Sequence, residues 1–246
     1  MDRSNFSEAW YTDLQSRLCA EWRLKLFGLP AFIVVFFVGY FLLLRFPVFA
    51  VKPMPVTAMD EAIAFQSVSL VVYFSLWFYV CMAAALLRTR AELLFHAKVA
   101  GVMGTVGLAV FFFWPTAVPL AAGLRETDVA TLSWLKQVDA AGNACPSLHV
   151  AFAVFSGLWL NRSLKEMRLP FGLRLLNAAW CIAIAYSTLA TKQHVVVDVL
   201  AGGILGAVAG SVRYSPMRAG MPKDALAELA GSAIAVERPV VPRVEA

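Results

Sequence analysis

The run "LFGLPAFIVVFFVGYFLLLRF" at residues 26–46 carries a single charged side chain, Arg45. A hydrocarbon core roughly 30 Å thick is crossed by about 20 apolar residues in helical rise, so this stretch reads as a membrane span. It is too long for the apolar core of a signal peptide and lacks a small-residue cleavage pattern, so it is expected to stay in the protein. Five further runs, at 67–87, 99–118, 146–160, 174–191 and 195–212, repeat the pattern. The predicted fold class is therefore all-α, a polytopic membrane bundle of six transmembrane helices. The fourth run is short, and its polar start is expected to lie buried in protein near one membrane face.

Composition agrees. Of 246 residues, 60% are hydrophobic and 15% charged, with a mean hydropathy of +0.71, far from the balance of a soluble globular domain. The formal charge of +5 is not clustered, which argues against a nucleic-acid partner. Cys19, Cys81, Cys145 and Cys181 fall singly, without a paired spacing, and read as packing residues.

Sorting the 21 Lys and Arg residues by loop puts 16 on the side of the N-terminus and 5 on the other. The positive-inside rule then predicts both termini in the cytoplasm, and the loops holding His149 and His194 outside. Before the first span, Phe6, Trp10, Leu14, Leu18 and Trp22 recur every four residues. Residues 1–25 thus form an amphipathic helix that either lies in the cytoplasmic headgroup layer or docks on the protein's own spans. Residues 56–66 read as a short interfacial element on the outer side. Residues 213–246 turn Ala-, Pro- and charge-rich and read as a loose cytoplasmic tail after a catalytic domain at 26–212. Gly202, Gly206 and Gly210, like Gly101, Gly104 and Gly107, mark close helix packing.

Packing does not explain the polar residues of two outward segments, "GNACPSLHV" (142–150) and "TKQHVVVDVLAGG" (191–203). An aspartate in a span costs about 2.5–3.5 kcal/mol at its centre, so Asp198 needs a partner. His194 lies four residues earlier on the same helical face, where a carboxylate can fix its tautomer and support its positive charge. That pair alone is also compatible with a purely structural role. Pro146 suits a helix's first turn, with Asn143 or Cys145 as the cap, so Ser147 and nearby backbone N–H groups can meet an anion. With His149 in that turn and Lys192 near His194, the set describes a phosphate site. His96, in the loop between the second and third spans, is given no role. The sequons at Asn5 and Asn161 are expected on the cytoplasmic side and are discounted.

"CPSLH", residues 145–149, resembles the P-S-G-H element of the type 2 phosphatidic acid phosphatase superfamily, with Leu148 in place of glycine. "STLATKQHVVVD", residues 187–198, is similar to its third motif, with Thr188 in place of arginine. The P-S-L-H form and the Ser-Thr pair look closest to the branch of inositolphosphorylceramide synthases and related bacterial lipid phosphatases. The superfamily's first motif, lysine followed after six residues by arginine-proline, has no counterpart in "FFFWPTAVPLAAGLRETD" (111–128). Arg125 and Lys136 are candidates for the missing charge and read otherwise as solvated loop residues.

The resemblance implies a metal-independent lipid phosphatase or phosphotransferase without a cofactor. His194 would be the nucleophile that becomes phosphohistidine, Asp198 its support and His149 the acid and base, with Ser147 and Lys192 on the phosphate. The substrate would be a membrane lipid phosphate or phosphodiester, the acceptor water or a lipid alcohol, and the location the plasma (inner) membrane. Hydrolysis is the broader activity of the superfamily, and headgroup transfer to a lipid alcohol is the alternative. Two other classes stand beside these: a metal site on His149, His194 and Asp198, and a non-catalytic lipid transporter or scaffold.

Overall fold

A computed structural model of the chain describes residues 3–119 and 143–214. Helix α1 (Arg3–Cys19) is followed by a helix running Leu24–Arg45, π-helical over Leu24–Gly28 and α-helical as α2 (Leu29–Arg45). Then come β1 (Lys52–Pro53), α3 (Ala58–Ala62), α4 (Ser69–Phe74), α5 (Leu76–Ala85), α6 (Arg90–Phe113) and β2 (Thr116–Ala117). Helices α7 (Leu148–Glu166), α8 (Phe171–Ala190) and α9 (Val196–Ser211) complete the described part. The architecture is helical, with β1 and β2 adding one short parallel pair. Leu24–Arg45, Arg90–Phe113 and Phe171–Ala190 are long and apolar enough to cross a bilayer, while Ser69–Ala85 and Val196–Ser211 are apolar but shorter. Arg125, Lys136 and residues 215–246 lie outside the described residues.

Several boundaries differ from the sequence reading. Helix α6 begins at Arg90, because Thr89 Oγ1 accepts the Glu92 N–H at 3.2 Å and caps a polar first turn. His96 is therefore not a loop residue: it is buried in α6, its ring centroid 4.8 Å from those of both Phe155 and Trp159. The 67–87 run divides at Ser75, whose hydroxyl donates to the Val72 carbonyl at 2.6 Å and competes with the helical ladder. Helix α7 extends to Glu166, beyond the apolar stretch that predicted it.

Helix α7 is central, with α9 packed along it and α5 and α8 at its flanks. The glycine stripe of α9 makes that contact possible. A Cβ at Gly202 would stand 2.2 Å from the Ser147 carbonyl oxygen, and one at Gly206 2.3 Å from that of Ala151, so the two backbones touch. On α6, Gly107 receives the Leu148 side chain while Gly101 and Gly104 face Phe32 and Phe36.

At the opposite end of α7, Arg17 of α1 is buried: it donates to the Leu86 carbonyl at 3.1 Å and to Glu166 Oε2 at 3.1 Å. Lys25 Nζ adds bonds of 2.8 Å to the carbonyls of Ala85 and Leu87. Arg17 and Lys25 thus tie the N-terminal segment to the C-terminal ends of α5 and α7. The apolar stripe is only partly covered: Trp10 and Leu14 are half-buried, while Leu18 and, beyond the helix, Trp22 remain exposed, at 49% and 53%. Charge and hydrogen bonding fasten α1 at Arg17, and part of its apolar stripe stays exposed.

Candidate active site

Two segments far apart in sequence are joined by their backbones. The Ser147 N–H donates to the Asp198 carbonyl at 3.0 Å. Below that bond Cys145, Ala144, Met54 and Val195 form one small apolar cluster. The strand pair reinforces it from above: Thr116 Oγ1 accepts the Cys145 N–H at 2.9 Å, and the Thr116 carbonyl accepts that of Ala144 at 3.0 Å.

Ser147, not Asn143 or Cys145, caps α7, its Oγ accepting the Val150 N–H at 3.3 Å. Pro146 therefore precedes the helix rather than opening it. The reason is conformational, since Ser147 is extended (ψ 103°) and the helical dihedrals begin at Leu148. A hydroxyl that accepts in this way still carries a proton to donate. Asn143 instead donates to the Tyr40 carbonyl at 3.0 Å.

His194 Nδ1 lies 3.0 Å from Asp198 Oδ2, and the other oxygen, Oδ1, accepts the Val195 N–H at 2.8 Å. Both residues are buried, Asp198 completely. A carboxylate in that position accepts from Nδ1–H, which fixes the tautomer and puts the lone pair on Nε2. The His149 ring stands opposite, its centroid 6.2 Å from that of His194. Tyr73 stacks on His149 at 4.3 Å and Trp77 meets it edge-on at 5.9 Å. His149 Nε2 is buried without a hydrogen-bond partner among the described residues. Such an atom costs stability unless a ligand or water completes it.

Thr188 is buried and its hydroxyl donates to the Ala185 carbonyl at 2.7 Å. Its own carbonyl accepts the N–H groups of Gln193 and His194, both at 3.1 Å, which shapes the turn that presents the His194 ring. Lys192 sits in that turn at φ 55°, a left-handed conformation that costs a non-glycine residue on the order of 1–2 kcal/mol. Its Nζ donates to the Asp60 carbonyl at 2.7 Å and to that of Ile63, so here it holds the turn and is directed at the 57–63 segment. Burial pulls the Lys192 ammonium below its ordinary pKa, and the Asp60 charge opposes that.

Asp60 is the residue that sequence reasoning missed. Its Oδ1 accepts the Val196 N–H of α9 at 2.8 Å, while Oδ2 accepts the Thr57 N–H at 2.8 Å and the Thr57 hydroxyl at 2.7 Å. Burial raises its pKa, but the Thr57 bonds, the Val196 N–H and Lys192 outweigh this and hold the carboxyl below its ordinary range. The T-x-x-D spacing at 57–60 is a capping signature and was the available signal; the bond to Val196, 136 positions away, had none.

The site therefore brings His149, Ser147, His194 and Asp198 together and keeps Lys192 at its edge. Among the described residues, no group of three His, Cys, Asp or Glu side chains is arranged to hold a metal ion. A paired imidazole facing a second imidazole is equipped for nucleophilic attack and proton transfer. Comparison with curated proteins and with solved structures finds no match. The profile of one family does match, over residues 45–212, a span that holds both motif segments and the helices that join them. With that match and its long apolar helices, this chain is a membrane protein that belongs to the PAP2 superfamily.

Proposed function

We propose that this phosphatase-type membrane enzyme is a lipid phosphate phosphatase and phosphotransferase that works through a phosphohistidine at the extracytoplasmic face. One observation carries the reading: the 3.0 Å bond between His194 and Asp198, with the His149 ring 6.2 Å across from it. His194 Nε2 attacks phosphorus while the bond from phosphorus to the lipid oxygen breaks, and His149 gives that oxygen a proton. Asp198 supports the positive ring that results. In the second half His149 takes a proton from water or a lipid alcohol, whose oxygen displaces Nε2 from phosphorus. Ser147, the first-turn N–H groups of α7, and Lys192 once it leaves the Asp60 and Ile63 carbonyls cover the phosphoryl oxygens. The scheme takes no step from a metal, so turnover in the presence of a chelator is expected.

In this proposal six helices cross the membrane, with both termini on the cytoplasmic side of the plasma (inner) membrane, as the 16 to 5 partition of Lys and Arg supports. A second reading is headgroup transfer from a phosphodiester, as in inositolphosphorylceramide synthases. It is favoured by Thr188, buried and neutral where the superfamily's third motif carries arginine. A diester bears one negative charge and a terminal phosphate up to two, so fewer cations suit the diester.

The test is purified protein with a panel of lipid phosphates and phosphodiesters, with and without diacylglycerol or ceramide, and every product identified by mass spectrometry. Phosphate release identifies the hydrolase and headgroup exchange the transferase. Neither product from wild type, or equal products from His194→Ala, overturns the catalytic reading and leaves a lipid transporter or scaffold.

A further inference from the structure

Consecutive backbone N–H groups around the His194 ring are all held. The Thr188 carbonyl accepts those of Gln193 and His194, Asp198 Oδ1 accepts that of Val195, and Asp60 Oδ1 accepts that of Val196. Thr188 and Asp198 belong to the hairpin of α8, the turn and α9, whereas Asp60 comes from a distant part of the chain. The segment that carries Asp60 grips the same hairpin again. The Gln66 N–H donates to the Ala190 carbonyl at 2.9 Å, Gln66 Nε2 donates to the Tyr186 hydroxyl at 2.9 Å, and the Asp60 and Ile63 carbonyls accept Lys192 Nζ. Acceptors within the hairpin shape the turn, and this outside support fixes it against the rest of the bundle.

Further along, the same stretch reaches the other imidazole. Helix α4 packs on α8 and carries Tyr73, which is buried and stacks on the His149 ring at 4.3 Å with 20° between the planes. His149 Nε2 has no hydrogen-bond partner among the described residues, so ring contacts orient this side chain: Tyr73 on its face and Trp77 at its edge. Hydrogen bonds thus hold His194 and aromatic packing holds His149, and residues 57–74 supply a support to each.

We infer that Asp60 and Tyr73 are positioning residues, Asp60 for His194 and Tyr73 for His149, and that the segment carrying both sets the 6.2 Å spacing of the two rings. The inference rests on the proposed phosphohistidine chemistry, in which His194 attacks phosphorus and His149 protonates the departing oxygen. A displacement of 1 Å at a reacting group costs on the order of 100-fold in rate. The two roles separate by leaving group. An alkyl oxygen needs the proton from His149 to depart, whereas a nitrophenolate leaves without one. Displacing His149 therefore slows the alkyl ester alone, and displacing His194 slows both esters, because both need the nucleophile.

The test measures kcat/KM, which covers the steps through departure of the first product, on the full-length protein in detergent. The substrates are an alkyl phosphate and a nitrophenyl phosphate with the same alkyl chain on its ring, each as the monoester and as its methyl diester. Rates are expressed per folded molecule, from melting curves on the same preparations. Tyr73→Met removes the flat face and keeps an apolar side chain; it is expected to lower the ratio of alkyl to nitrophenyl kcat/KM at least tenfold, and Tyr73→Phe to restore the wild-type ratio. Asp60→Ala is expected to lower both values at least tenfold and leave their ratio within threefold of wild type. A lowered melting temperature with wild-type rates and ratio per folded molecule, in either Tyr73→Met or Asp60→Ala, would make that residue merely structural and overturn the shared positioning. If Tyr73→Met fails to fold, Asp60→Ala at the rim still decides. Wild-type turnover that His194→Ala abolishes, beside unchanged rates in both positioning variants, sinks this inference and keeps the catalytic reading; no turnover by wild type sinks both.

Discussion

Asp198 has three hydrogen-bonding commitments: one oxygen to the His194 ring, the other to the Val195 N–H, and its carbonyl to the Ser147 N–H. Buried as it is, it needs all of them. Asp198→Asn can keep the Val195 bond, but its amide would present N–H to Nδ1 and push the ring proton onto Nε2, where the attacking lone pair must be. A folded protein with turnover lowered on the order of 10⁴-fold is expected, as for wrong-tautomer variants of other histidine enzymes. Steady-state rates beside a thermal melt will separate this from Asp198→Ala, which should lose stability as well. For Lys192 the contest is between turn and phosphate. If the ammonium swings to the phosphoryl group during turnover, Lys192→Ala lowers kcat/KM about 10- to 100-fold, the worth of one charged hydrogen bond. An unchanged kcat/KM would leave it as a clamp on Asp60 and Ile63, its place in this structure.

Among the elements, the contact of α7 with α9 and the 57–66 segment decide whether those residues meet. Gly202→Ala puts a methyl group on the Ser147 carbonyl. It is expected to cost about 1–3 kcal/mol and to reduce turnover without touching a reacting atom, as melting and activity assays on the same preparation would reveal. Asp60→Asn cannot accept with two oxygens, so one of the Thr57 and Val196 bonds is lost. The same carboxyl sets a pH dependence. Its folded pKa lies below its unfolded value, so the stabilisation is complete above the unfolded pKa of about 4 and disappears as pH falls through the lower folded value. Wild type should therefore lose more melting temperature than Asp60→Asn between pH 5 and pH 3. Equal losses would show that the clamp carries no net stability. Much of this level was legible in the sequence, because an apolar run, a small-residue stripe and a His–Asp spacing of four are local patterns. The Ser147 to Asp198 bond, the grip of Asp60 on α9 and the burial of Arg17 join residues with no periodic relation, and only packing brings them together. His96 was misplaced for a related reason: a polar helical turn looks like a loop until its Thr89 cap is seen.

At the scale of the whole molecule, the site's usefulness depends on which side of the membrane it faces. The contacts tie the two ends of α7 to different environments. At one end are the strand pair and the paired imidazoles; at the other, Arg17 reaches Glu166 and the Leu86 carbonyl. If the distribution of Lys and Arg sets the orientation, the Arg17 end is cytoplasmic and lipid headgroups of the outer leaflet meet His194. The native cysteines offer a direct check, since Cys19 is exposed at the α1 end and Cys145 is buried beside the site. Val48 and Val56, at the imidazole end, are also exposed. In intact cells a membrane-impermeant maleimide should label Val48→Cys and Val56→Cys, and should reach Cys19 only after permeabilisation. Labelling of Cys19 from outside would invert the molecule, turning the imidazoles toward cytoplasmic lipid phosphates and putting exposed Leu18 of α1, and Trp22 after it, on the outer leaflet.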